Sequence, residues 1–198
     1  MSAVVTTLPP GEHLDVLLKA IEVEGEAQRL LLDGDWGRGR SRMNDASTLY
    51  RTSWELAPPR SFGRLVGMLK SAIIGGTGAE AARYAFTQGP DLETPTAAYA
   101  AAIIALVDGD ETRAQECAVA MRSASAAFAR AADAIDAVVG RDQAAYSQSI
   151  TAIVRDFESR EAHLTGVAIA DTAVMFEELS RSRGLAGGVK SGLLPPAA

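Results

Sequence analysis

Between Asp156 and Asp171 the chain gathers one of its two histidines, an arginine and several carboxylates: Asp156, Glu158, Arg160, Glu161 and His163, then a break at Thr165-Gly166, then Asp171. An imidazole beside a guanidinium and carboxylates can exchange protons near neutral pH or hold the carboxylate of a ligand. Asp156, Arg160, His163 and Asp171 are therefore the candidates for catalysis or small-ligand binding. The competing reading is a solvated helix end, with Asp156 and Arg160 as an i,i+4 ion pair and His163 complementing the helix dipole. Glu161 and His163, two residues apart, point to different helix faces, and no Glu-x-x-His pair exists, so neither a metal nor another cofactor is expected. Gly75-Gly76-Thr77-Gly78 lacks the Lys-Ser/Thr pair of a phosphate loop, and Cys117 has no base marked beside it.

A second constellation spans Asp35 to Lys70. Arg38, Arg40, Arg42, Arg51, Arg60, Arg64 and Lys70 outnumber Asp35, Asp45 and Glu55, giving +4 in a chain of net charge -6. Both tryptophans, Trp36 and Trp54, lie here with Tyr50 and Phe62. Trp, Tyr and Arg dominate the energetics of protein interfaces. Trp36, Arg38, Arg40, Arg42, Tyr50, Trp54 and Arg64 are therefore the expected partner-binding residues, unless the aromatics are core and the arginines merely solvated. The acidic remainder of the chain argues against nucleic acid.

The elements carrying these residues read as helices. Tyr146, Ile150, Ile153 and Phe157 fall on one face of a helix over 142–160, and Leu14, Leu17, Leu18 and Ile21 repeat the pattern, as do Phe128, Ala132, Ile135 and Val139. No segment alternates with period two. Alanine supplies 37 of 198 residues, a composition suited to helices that approach closely. The turns resemble one another: Asp33-Gly34-Asp35, Gly75-Gly76-Thr77-Gly78, Asp108-Gly109-Asp110 and Gly140-Arg141-Asp142. A glycine in the left-handed conformation closes one helix and the next residue caps the following one. Positions 78, 110 and 142 are 32 residues apart, close to the period of tetratricopeptide arrays. The expected fold is all-α: about eight or nine helices in stacked hairpins, tetratricopeptide-like or an irregular α-α bundle, with a final helix over 168–183 capping the stack.

Residues 1–11 read as a flexible lead-in, 12–186 as one helical domain and 187–198 as a non-helical tail. With 47% hydrophobic and 22% charged residues, the chain is neither disordered nor collagen-like. One cysteine excludes an internal disulfide, and neither a leader pattern nor a membrane-length apolar run is present. A cytoplasmic protein that does not engage membranes is expected.

The stretch Ala170-Asp171-Thr172-Ala173-Val174-Met175-Phe176-Glu177-Glu178-Leu179-Ser180-Arg181-Ser182-Arg183-Gly184-Leu185, followed by Ser191-Gly192-Leu193-Leu194-Pro195, resembles the ending of the immunity protein 49 family. There an apolar helix ends in a small-residue, Arg-Gly turn followed by a Leu-Pro segment. The resemblance implies an α-helical bacterial antitoxin that binds a toxin, and it carries no functional residue across. The leading expectation is a non-catalytic protein that binds a macromolecular partner. The alternatives are a small enzyme or ligand-binding protein built around Arg160, His163 and Asp171, and a homo-oligomer joined through alanine-rich faces.

Overall fold

Aspartates at the turns set the helix starts. The Asp35, Asp110 and Asp142 side chains accept from the backbone N–H groups of Arg38, Arg113 and Ala144/Ala145, satisfying amides that have no partner inside the helix. A computed structural model of the chain describes residues 11–197, and all regular structure among them is helical. Nine α-helices follow in order: α1 Glu12–Leu32, α2 Trp36–Leu56, α3 Gly63–Gly75, α4 Gly78–Thr87, α5 Pro95–Asp108, α6 Glu111–Arg122, α7 Ala126–Gly140, α8 Gln143–Glu158 and α9 Asp171–Ser180. A 3-10 turn, Arg181–Arg183, continues α9. No described helix is long and apolar enough to cross a membrane.

Two turns depart from the expected alignment. Position 78 is the first helical residue of α4, whose cap is Thr77, so the 32-residue spacing of caps holds only for Asp110 and Asp142. Gly76 and Gly109 take the left-handed conformation at φ 88° and 77°, but Gly140 stays helical. Arg141 adopts the left-handed geometry instead, at φ 52°.

Each of α1 to α8 packs on the next, and the alternate helices α3, α5 and α7 also touch in succession. In α5 the buried alanines Ala97, Ala98, Ala100, Ala101, Ala102 and Ala105 keep neighbouring backbones close. The last helix does not cap the stack. It returns to pack on α3 and α8, with Ala173, Met175 and Phe176 wholly inaccessible to solvent. A short helix with apolar residues on every side can be accommodated only inside a bundle. The segment after it is non-helical and folds back: Leu185 is buried, Leu193 and Leu194 pack on the core, and the Leu193 carbonyl accepts from Ala170 N–H at 2.9 Å. Of the expected lead-in, residues 1–10 lie outside the described residues.

Replacing Arg141 by glycine relieves the left-handed strain and forgoes only an exposed contact to Glu111 at 3.5 Å. Arg141→Gly is expected to raise stability by about 1 kcal/mol, read as a higher urea midpoint at unchanged slope; a lower midpoint contradicts the assignment.

Candidate functional site

On α1, Glu24 occupies the apolar stripe formed by Ala20, Val23, Ala27 and Leu31, and on α3 Lys70 sits beside Ile73 and Ile74. Charged groups in those positions must find each other. The Lys70 ammonium lies 2.5 Å from an Asp171 oxygen and 3.4 Å from Glu24. Glu24 is 1% exposed and also accepts from the Tyr50 hydroxyl at 2.6 Å and from the Gln28 amide at 3.4 Å. Three helices thus meet at one ammonium, and α2 joins them through the Tyr50–Glu24 hydrogen bond. Close approach of α3 to α2 is part of this geometry, because a Cβ on Gly67 would stand 2.8 Å from the Tyr50 ring. Desolvation is the largest influence on Lys70 and opposes its charge, yet Asp171 and Glu24 together hold its pKa above the ordinary lysine value. Burial, with Glu24 beside it, pushes the Tyr50 hydroxyl well above the ordinary tyrosine range.

A cavity of about 190 Å³ adjoins this cluster. It exists because α8 stops at Glu158 and the chain then doubles back through residues 159–170, with Gly166 at φ 70°, before α9 begins at Asp171. His163 stacks on Phe157 with ring centroids 6.2 Å apart, and the Arg160 guanidinium lies 3.7 Å above the same phenyl ring. Gln28, Lys70, Arg160, His163, Thr165 and Asp171 contribute polar surface, while Leu164, Val167 and Ile169 supply apolar wall. The Asp156 carboxylate does not line the cavity. It accepts from Arg160 at 2.6 Å and from Arg130, so one carboxylate serves two guanidiniums. The His163 Nδ1 atom is buried without a hydrogen-bond partner among the described residues. Three of the four sequence candidates, Arg160, His163 and Asp171, therefore share a cavity, and the fourth orients Arg160. His163 is not on a helix end; it lies in the connecting segment.

The residues expected at a partner surface divide. Tyr50 and Arg64 are interior, 3% and 4% exposed, and are corrected to core positions. Arg64 donates to the Ser53 hydroxyl and to His13 Nδ1 at 2.8 and 3.1 Å, and burial lowers its pKa. Trp54 is half-buried, donating to Gln88 and packing against Phe62 with the rings tilted by 31°. Trp36 donates to the Pro196 carbonyl at 2.9 Å and lies beneath Arg40, which reaches Glu178. Arg38 and Arg42 face outward, and with Arg29 they line an open groove between α1 and α2, interleaved with Glu26 and Asp33. Arg38 pairs weakly with Asp35 at 3.5 Å, and Arg42 bridges Glu26 and Asp45. The +4 of the segment is thus largely neutralised, because Glu24, Glu26, Asp91, Glu93, Asp171 and Glu178 come to it from other elements.

Glu24, Gln28 and Lys70 were not among the sequence candidates, and Tyr50 was assigned to the surface. For Glu24 and Lys70 the signal is a charged side chain on an apolar stripe, present in the pattern of α1 and α3. No family model, curated protein or solved structure matches the chain.

Removing the ammonium leaves two buried carboxylates facing each other. Lys70→Met is expected to cost about 3–5 kcal/mol in urea unfolding; a loss below the error of that measurement contradicts the cluster. The alkaline limit has a defined sign as well. Lys70, Tyr50, Tyr99 and Tyr146 all have raised folded-state pKa values, so above about pH 10 the unfolded chain releases protons that the folded chain keeps. Their contribution is complete below the unfolded values and is lost as pH rises, at up to about 1.4 kcal/mol per pH unit for each group. Urea midpoints should change little near pH 9 and fall with increasing steepness between about pH 10 and 11.5, and a flat profile across that range contradicts it.

Proposed function

We propose that this protein acts without catalysis, by binding a protein partner as an inhibitor of the immunity type. The observation that carries the reading is the open groove between α1 and α2, where Arg29, Arg38 and Arg42 present three guanidiniums around Leu30. Arg38 has a side chain 77% exposed, bound only by its weak contact to Asp35. Guanidiniums in such a groove recognise carboxylates through paired N–H donors, so the complementary partner is an acidic segment of another protein. Trp36 and Arg40 lie on another side of α2, against Pro196 and Glu178, and are not part of this groove. Because the acids between the groove arginines cancel most of their long-range field, recognition relies on short-range hydrogen bonding more than on electrostatic steering. The resemblance of Ala170–Leu185 to the immunity protein 49 family points the same way. That segment supplies the largely buried helix α9, which leaves contact with a toxin to other surfaces. The finer description of the fold as a tetratricopeptide-like repeat belongs to this reading too, since α3, α5 and α7 succeed one another as the inner helices of such an array would.

The experiment is co-expression of the chain with the products of the genes flanking its own, followed by size-exclusion chromatography and a growth assay. The expected result is a discrete complex with one product and suppression of that product's toxicity. Combined Arg29→Glu and Arg38→Glu replacement, which touches no core contact, should weaken the complex at least tenfold. No complex with any flanking product, or one indifferent to the reversal, contradicts the reading.

A further inference from the structure

The cavity beside Lys70 has a guanidinium, Arg160, and a carboxylate, Asp171, in its lining. Outside the lining, Asp156 is the single carboxylate that Arg160 shares with Arg130. Arg160 spends Nε and Nη2 on that carboxylate, leaving Nη1 without a partner among the described residues. For Asp171 the arithmetic reverses, because it shares the single ammonium of Lys70 with Glu24, a buried carboxylate outside the lining. His163, also in the lining, has a buried Nδ1 with no partner among the described residues, and an unmatched buried polar atom costs free energy until something pairs with it. Phe157, Leu164, Val167 and Ile169 provide apolar surface.

From this charge arrangement we infer that the cavity binds a small zwitterion, a free amino acid with a short apolar side chain. Its carboxylate is received by Arg160 and His163, and its ammonium points toward Asp171 and the Thr165 hydroxyl. The volume of about 190 Å³ corresponds to roughly six waters of liquid, enough for a molecule of that size and too little for a nucleotide or a peptide. A simple anion such as phosphate would satisfy Arg160 only and meet the carboxylate of Asp171. A simple amine would do the reverse. This assignment takes up the ligand-binding alternative read from Arg160, His163 and Asp171. It is independent of the α1/α2 groove, because the residues of the two sites do not overlap.

Two-dimensional amide NMR of the full chain separates these cases. Alanine, valine and leucine are titrated against three probes that each lack one feature: propionate without the ammonium, alaninamide without the carboxylate, and inorganic phosphate. The expected result is saturable shifts of the Thr165, Val167 and Thr172 amides for an amino acid, with affinity at least tenfold above propionate and alaninamide. Arg160→Gln and His163→Ala, both outside the helical core, should each lower that affinity at least tenfold while leaving the remaining amide spectrum unchanged. Equal affinity for propionate or for phosphate, no saturable shift with any amino acid, or undiminished binding by both variants would overturn the assignment.

Discussion

One buried ammonium holds the first helix of this protein to its last. Lys70 on α3 lies between Glu24 of α1 and Asp171 of α9, and neither carboxylate has another cation within ion-pair distance among the described residues. Taking three charges out of water is expensive, and an apolar trio of the same volume would often be as stable. What the charges add is register. The α9 helix is apolar around most of its circumference, so packing alone distinguishes poorly between neighbouring rotations. The Lys70–Asp171 pair fixes α9 at its first residue. The same pair places Asp171 at one end of the cavity formed by residues 159–170, so the core interaction and the candidate ligand site share a residue.

Charge in the α2–α3 region follows the same logic of pairing across the sequence. Read along the chain, Asp35 to Lys70 is basic and the remainder acidic. Folding mixes them: Arg40 meets Glu178, Arg42 meets Glu26, Arg60 meets Asp91 and Glu93, and Lys70 meets Glu24 and Asp171. Such pairs at the surface contribute about 0–1 kcal/mol each, so their main consequence is to erase a basic patch. The groove that remains is a place of mixed charge in which arginines stay available for directional bonds.

How much could be read beforehand depended on whether a feature was local. Helical periodicity, the capping aspartates at 35, 110 and 142, and the all-α class are properties of a few adjacent residues, and they are legible in the sequence. Local composition misplaced the left-handed residue of the α7–α8 turn at Gly140, where Arg141 takes it, because either position closes the helix and only the surrounding packing chooses. Arg160, His163 and Asp171 were within reach since a single break separates them. Glu24, Gln28 and Lys70 complete the cluster from positions about a hundred residues or more away from Asp171, and no local pattern joins them. Tyr50 and Arg64 looked like interface residues by type. Their partners, Glu24 for one and His13 with Ser53 for the other, turn them inward.

Native-state hydrogen exchange tests the central dependence most directly. If the Lys70 ammonium ties α9 to α1 and α3, the protected amides of those three helices share one opening free energy, equal to that of global unfolding, and remain linked as denaturant is added. Exchange of the α9 amides through a separate opening, several kcal/mol below that of α1 and α3 in the unaltered protein, would contradict it.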